Sequence, residues 1–294
     1  MTEITIRRPY SSDQPEEERR LWTEAFATPA GMMLGFETIT RSDDHCHMVI
    51  APRSTVLDGK TGRIDPGAVT VLIDQCLGIA ASGMVPRAMV TLDLRIDWNL
   101  PSEPGVAISC LATVRTSQHD IVCVTAEIRS GVDGPLLGVA SGQFLIGAVA
   151  GGFRDAPNRD AARKYHSAAL SLQELPNFHD FLAVKADGDG VYILDAQDRF
   201  IGSPFLPALH GGVTAAALRE ALYTEALTWR PDESFQMLSW TTQFLLAGQA
   251  KKPLRMETNW IRRGKSVAVL QARATQDDRG KAVASAQAMF TAIK

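Results

Sequence analysis

The chain has 294 residues and a formal net charge of −3, with a sequence pI of about 6.1. This balance gives no basic footprint for nucleic acid, and no apolar run reaches the roughly 18 residues of a membrane-crossing helix. With 45% hydrophobic residues there is enough apolar material for a full core over two domains of ordinary size.

The first residues, Met1-Thr2-Glu3-Ile4-Thr5-Ile6-Arg7-Arg8, lack the apolar centre of a signal peptide. Cys46, Cys76, Cys110 and Cys123 show no Cys-x-x-Cys spacing, so buried thiols in a reducing cytoplasm are expected. Residues 13–27 place Glu16-Glu17-Glu18 before Arg19-Arg20, the charge order of a short helix, and Pro29-Ala30-Gly31 stops it. A strand pattern follows from Leu34 to Ile50, broken near Arg41-Ser42-Asp43-Asp44 as in a hairpin. Asp58-Gly59-Lys60-Thr61-Gly62 reads as a loop.

The next stretch, Asp65 to Ala80, is a helix by its spacing. It opens on Pro66-Gly67, and Val69, Leu72, Ile73, Cys76, Leu77 and Ala80 recur as one buried stripe. Asp74 falls in the middle of this apolar helix, where a carboxylate costs several kcal/mol unless it is partnered or protonated. Strand patterns then run over Ala88–Leu100, Val106–Thr116, Ile121–Ile128 and Leu136–Ile146, separated by turn chemistry. Residues 148–178 read as a linker containing a helix over 159–172.

The second half repeats the first. His210-Gly211-Gly212 follows Asp65-Pro66-Gly67 by about 145 positions. Thr214, Ala217, Leu218, Ala221 and Leu222 then stand where the first helix has Val69, Leu72, Ile73, Cys76 and Leu77. Val283-Ala284-Ser285-Ala286-Gln287 answers Val139-Ala140-Ser141-Gly142-Gln143, and Val267 to Leu270 answers Ile121 to Val124. An ordered series of this kind predicts a tandem duplication. The expected organisation is an N-terminal segment with a short helix (1–31), a first domain (32–147), a helical linker (148–177) and a second domain (178–294).

These residues resemble the hotdog-fold thioesterases. The first half is similar to the phenylacetyl-CoA thioesterase type in Met33-Leu34-Gly35-Phe36, the Asp74 helix and Thr91-Leu92-Asp93-Leu94-Arg95-Ile96. The second half resembles the His-Gly-Gly half of the acyl-CoA thioesterase II type. Its marks are Pro207 to Gly212, Gln243-Phe244-Leu245-Leu246 and Arg262-Arg263-Gly264-Lys265. The resemblance implies an α+β fold, a tandem (double) hotdog in which two curved antiparallel sheets each wrap a central helix and meet edge to edge. It implies hydrolysis of an acyl-CoA at the seam, with association of the double units into a homo-oligomer open, and with no metal or redox cofactor required.

The resemblance also implies roles. Asp74 is expected as general base or nucleophile and the Gly211 N–H as oxyanion donor, with Gly212 and His210 beside it. Unpaired N–H groups at a helix start are suited to a developing anion. Thr91 matches a threonine that helps hold the attacking water. Gln143 matches a glutamine of the same cluster if the last strand slips by one residue, which on a strand reverses the face. In the first half Pro66 has no N–H to donate, and in the second Arg219 stands where Asp74 would be. One site per chain, Asp74 facing Gly211, is therefore expected, with an acyl tunnel lined by residues such as Leu72, Ile73 and Ala217.

Other features point to less. His45 and His47 share a strand face but lack a further ligand cluster, so no metal is expected. Ser141 and Ser285 lack a Gly-x-Ser-x-Gly elbow. Arg262 to Lys265 reads as a hairpin turn that could also meet the phosphates of CoA. Two other classes remain open: a non-catalytic acyl-CoA binder or sensor, and another hotdog activity such as hydroxyacyl-CoA dehydration.

Overall fold

The structure, a computed structural model, describes residues 4–7, 28–84, 89–146, 177–203, 206–230, 234–276 and 280–293. The helices expected within 13–27 and 159–172 lie outside these residues. In chain order the elements are β1 (Ile4–Arg7), α1 (Pro29–Leu34), β2 (Phe36–Arg41), β3 (His45–Ile50), α2 (Pro66–Met84), β4 (Met89–Trp98), β5 (Ile108–Gln118), β6 (Ile121–Ser130) and β7 (Leu136–Ile146). There follow α3 (Phe178–Leu182), β8 (Lys185–Ala186), β9 (Val191–Leu194), β10 (Ile201–Ser203), β11 (Leu206–Leu209), α4 (Gly211–Trp229), β12 (Ser234–Phe244), β13 (Leu254–Arg263), β14 (Val267–Thr275) and β15 (Ala282–Ile293).

The long helix starts where its first residues dictate. The Asp65 carboxylate accepts the N–H groups of Gly67 at 2.7 Å and Ala68 at 3.3 Å, and Pro66 takes the first helical position, where no N–H is needed. The predicted stripe, from Val69 to Ala80, is buried throughout. Ala68, Val71 and Ala81 are buried too, and α4 packs against α2 with Val71 at the contact. Helix α4 carries small buried residues (Ala215, Ala216, Ala217, Ala221), and the two backbones approach closely at Gly212, where an added Cβ would lie 2.9 Å from the Val71 Cα.

Thirteen strands form one sheet in the order β1-β2-β3-β5-β6-β7-β4-β12-β15-β14-β13-β9-β8. The strands β3, β5, β6, β7 and β4 all touch α2. Five strands span about 19 Å at roughly 4.8 Å each, wider than a helix of about 10–12 Å, so the sheet must curl around it. The second unit does the same, with β12 to β15 and β9 around α4. The units join edge to edge through antiparallel β4 and β12, with Arg95 opposite Thr241 at the seam. This is the α+β architecture expected from the resemblance.

Strand β1 was not foreseen. It extends the first half-sheet by pairing with β2, Ile4 against Arg41 through Arg7 against Thr38. In the core, Cys76 donates its thiol hydrogen to the carbonyls of Cys46 and Cys110, both at 3.2 Å, and all four cysteines are free thiols. The Arg262–Lys265 stretch is a hairpin turn as read, closed by the Gly264 N–H on the Val267 carbonyl. Among the described residues no helix is long and apolar enough to cross a membrane.

Irregularities of the sheet recur at a fixed interval. The β4–β7 ladder shifts register between Thr91 and Asp93, and β12–β15 between Met237 and Ser239. The β5–β6 ladder shifts between Val114 and Thr116, and β13–β14 between Trp260 and Arg262. The β6–β7 ladder shifts between Ile128 and Arg129, and β14–β15 between Ala274 and Thr275. Position 91 thus answers 237, 114 answers 260 and 128 answers 274, always 146 apart. Even the strand exits agree. The Asn99 and Leu100 N–H groups share the Leu137 carbonyl, as those of Leu245 and Leu246 share that of Val283.

Candidate active site

The N-terminal halves of α2 and α4 lie side by side, so the middle of each helix meets the start of the other. At one crossing the Asp74 carboxylate reaches the first turn of α4. Its Oδ2 accepts the Gly212 N–H at 2.6 Å, and its Oδ1 accepts the Thr91 hydroxyl at 3.1 Å. A carboxylate at a helix N-terminus is favoured by the helix dipole as well as by the bond itself.

His210 caps this helix. Its Nδ1 accepts the same Gly212 N–H at 3.0 Å, so the ring is neutral with its proton on Nε2. Nδ1 lies 3.5 Å from Asp74 Oδ2. Burial holds the His210 pKa below its usual value against the pull of Asp74. His210 is further tied by its N–H to the Phe200 carbonyl and by its own carbonyl to the Thr214 N–H and hydroxyl. These bonds fix the start of the helix.

Burial also raises the Asp74 pKa above the ordinary carboxylate value of 3.8, although His210, the Thr91 hydroxyl and the Gly212 N–H all favour the anion. A base that is both held in place and made more basic is what proton abstraction near neutral pH requires.

The expected pairing of Asp74 with the second half's glycines is present, with a refinement. The N–H in contact with the carboxylate is that of Gly212. Gly211 faces the gap between the acid and the hydroxyl, since a methyl group on it would lie 3.1 Å from both Asp74 Oδ2 and Thr91 Oγ1. Among the described residues the Gly211 N–H has no hydrogen-bond acceptor.

Gln143 is not brought to this cluster. On β7, Ala140, Gly142, Phe144 and Ile146 are buried against the helix side, and Gln143 is exposed on the opposite face. The one-residue slip that would turn it inward is not made by β7: the extra residue of the β4–β7 ladder, Leu92, lies on β4, and along β6 Gln143 pairs with Cys123 and Phe144 with Val122 without a break. The expected catalytic role for Gln143 is therefore corrected.

The other crossing carries different residues. Asp65 caps α2 with its carboxylate, which occupies the N–H groups of Gly67 and Ala68. Burial raises the Asp65 pKa, and the positive charge of Arg219 opposes the rise. Arg219 is buried, lies over the Tyr223 ring and stands 3.5 Å from Glu220, itself 4.0 Å from His179. Met237, buried, occupies the register position that Thr91 holds in the first unit. This crossing thus has an acid filling the helix start, a guanidinium in place of the mid-helix carboxylate and a thioether in place of the hydroxyl. The Asp65 cap and Met237 were not anticipated. The cap was legible in Asp65-Pro66-Gly67; Met237 has no signal without the register.

His45 sits half-buried at a hairpin with its Nδ1 at 2.6 Å from the Ser42 hydroxyl, and no group of three or more His, Cys, Asp or Glu able to hold a metal occurs among the described residues.

Residues 203–291 match a family model described as the acyl-CoA thioesterase N-terminal domain. No curated protein sequence matches the chain. Among solved structures, the chain is similar to the tesB protein of Mycobacterium avium subs paratuberculosis, at 12% identity and a TM-score of 0.60, covering 90% of this chain and 98% of that one. It is similar to the 12:0-ACP thioesterase from Umbellularia californica at 11% identity and a TM-score of 0.58, covering 85% and 94%. It is also similar to an acyl-CoA thioesterase II, TesB2, from Mycobacterium marinum at 11% identity and a TM-score of 0.51, covering 90% and 96%. At these identities the likeness is one of fold. The chain therefore carries the double-hotdog fold of these structures, and its residues 203–291 match the acyl-CoA thioesterase domain model.

Proposed function

We propose that the protein hydrolyses acyl-CoA thioesters to free CoA and a carboxylic acid, at one site where Asp74 meets the start of α4. The observation that carries this reading is the Asp74 carboxylate bound at 2.6 Å to the Gly212 N–H, beside a Gly211 N–H with no acceptor among the described residues. Both carboxylate oxygens are held, one by Gly212 and one by Thr91, which suits a base that stays in place better than a nucleophile that must swing out.

In this reading a water accepts its position from Thr91 and Asp74. Asp74 removes one proton as the water oxygen bonds to the carbonyl carbon. The carbonyl oxygen becomes an anion and is held by the Gly211 N–H and the α4 dipole. Collapse of the tetrahedral species breaks the carbon–sulfur bond, and the proton on Asp74 goes to the departing thiolate. Atoms and charge balance without a further reactant.

The second crossing contributes no site in this reading, since Asp65 fills the donors, Arg219 cannot act as a base at neutral pH and Met237 cannot orient water. The 146-residue recurrence of bulges supports a tandem duplication, with units over 32–147 and 178–294, in which one crossing kept the chemistry. A cytoplasmic location agrees with the four free thiols, three of them buried.

Purified protein assayed for free thiol over a panel of acyl-CoA and carrier-protein thioesters is expected to release CoA. Binding of acyl-CoA without thiol release at any chain length would instead favour a sensor. Replacing Thr91 with Val should lower kcat roughly 10- to 100-fold, the worth of a hydrogen bond to a charged group. It should also move the acid limb of the kcat/KM profile upward. The Thr91 hydroxyl stabilises the carboxylate, so its loss raises the Asp74 pKa further. An acid limb that stays put in the Val variant would remove Thr91 from the reacting pair.

A further inference from the structure

We infer that Asp93 is a positioning residue, whose carboxylate pins a β-bulge that turns Thr91 toward Asp74. The inference rests on the reading of Asp74 and Thr91 as the reacting pair.

The ladder between β4 and β7 runs Met89 to Ile146, Val90 to Leu145 and Thr91 to Phe144, and resumes with Asp93 to Gln143 and Leu94 to Gly142. Leu92 has no partner of its own, so two residues of β4 span one step of β7. On β7 the side facing the helix is fixed by Gly142, Phe144 and Ile146, all buried. Thr91, opposite Phe144, faces the same way. If the strands paired without the extra residue, position 92 would oppose Phe144, and Thr91 would point to the outer face with Gln143. A slip of one residue on a strand exchanges the two faces, and the bulge is that slip made local. The Asp74–Thr91 hydrogen bond therefore exists only because β4 is bulged.

A bulge disturbs the ladder and leaves backbone groups without their regular partners. Here the Gln143 N–H donates to the side chain of Asp93, Oδ1, at 3.1 Å. Asp93 lies on the outer face, part buried, and burial raises its pKa against the favourable Gln143 bond. The side chain thus replaces a ladder acceptor and fastens β4 to β7 one step from Thr91.

The second unit supplies a contrast. Its β12–β15 ladder has the same bulge, with Met237 in the Thr91 position and Ser239 in the Asp93 position. The bulge belongs to the fold in both units. The carboxylate clamp is found in the unit whose inward residue is a hydroxyl that must meet a second side chain within hydrogen-bond distance. An apolar side chain packed in a core tolerates more play than a hydroxyl aimed at one oxygen.

The test compares Asp93→Ala, Asp93→Asn and Thr91→Val, each checked for folding by circular dichroism. Asp93→Ala should lower kcat about 10-fold or more with KM little changed. It should move the acid limb of kcat/KM upward, in the direction given by Thr91→Val, because the hydroxyl no longer reaches Asp74. Asp93→Asn keeps an oxygen acceptor for the Gln143 N–H and should restore most of both. The double variant Thr91→Val/Asp93→Ala should be no slower than Thr91→Val alone, since both act through one contact. The Asp74 titration, followed by carboxyl-carbon NMR, reads the same coupling without turnover. Among the described residues His210 is the ionisable side chain acting on Asp74, so the spectra of all variants are compared with its titration in view. An unmoved Asp74 titration in Asp93→Ala, or losses that add in the double variant, would overturn the inference. Failure of the wild-type chain to release thiol, with the Asp74 titration still shifted by Asp93→Ala, would overturn the hydrolase reading and leave the positioning role standing.

Discussion

Asp74→Asn is expected to lose turnover and gain stability together. As general base, Asp74 contributes about 10²- to 10⁴-fold to the rate, and Asn cannot take a proton from water. Yet Asn fits the same contacts. Its oxygen accepts the Gly212 N–H, and its amide donates to the Thr91 oxygen in place of accepting from it. The sign of the stability change follows from the pKa. Asp74 is raised in the fold by burial, so the native state holds its proton more tightly than the unfolded chain. Well below the ordinary carboxylate value both states are protonated and the group contributes nothing. As pH rises through the folded pKa, the buried charge destabilises the native state. Asn removes that charge, so the variant should be the more stable at pH 7 to 8, on the order of 1 kcal/mol, and the difference should fade toward pH 3. Denaturant melts at the two pH values and thiol release at pH 7 measure both effects. A variant less stable at pH 7 would mark Asp74 as a structural acid.

How much of this could be read from the chain depends on what kind of signal each residue leaves. The α2 stripe was legible because six apolar positions at helical spacing leave no other period, and Asp74 stood out as the charge among them. The repeat was legible because it orders many residues at once. The orientation of single strand residues was not. Thr91 entered through the resemblance, and nothing in Thr91-Leu92-Asp93 announces that one of three residues is extra. A period-2 reading through the bulge would put Leu92 and Leu94 on one face, yet the residue that shares the inner face with Leu94 is Thr91. For Gln143 the same sensitivity worked the other way: an expectation that needed the extra residue on β7 failed because the extra residue, Leu92, is on β4. Strand β1, four residues long beside a region of mixed charge, carried too short an alternation to be distinguished from a tail. Which of two adjacent N–H groups would take the carboxylate is a matter of a fraction of a turn, and only coordinates resolve it.

Adjacent glycines at the start of α4 should respond to alanine in opposite ways. Gly212 is where the two helices touch. A methyl group there would lie 2.9 Å from the Val71 Cα and 3.1 Å from the Asp74 Cβ, atoms of the opposing helix that cannot turn aside. The helices must separate, at a cost of about 1–3 kcal/mol for overpacking, and the Gly212 N–H moves away from Asp74. Gly212→Ala should therefore lose stability and activity together. Gly211 is different. Its methyl group would meet Asp74 Oδ2 and Thr91 Oγ1, both at 3.1 Å, and these are side-chain ends that can shift by a few tenths of an ångström. The fold has room to respond, and Gly211→Ala should keep most of its stability. The site does not, because the same shift breaks the Thr91–Asp74 hydrogen bond and puts a methyl group where the carbonyl carbon must approach. A misplacement on the order of 1 Å costs about 10²-fold in a positioned reaction. Loss of an oxyanion donor's alignment adds about 10²- to 10³-fold where the two act separately. Turnover in Gly211→Ala should thus fall at least about 10²-fold with the melting transition nearly unmoved. Thiol release and thermal melts on the pair decide the matter: an active Gly211→Ala protein would place the oxyanion elsewhere, and a Gly212→Ala protein as stable as the parent would mean that the α2–α4 contact is looser than 2.9 Å implies.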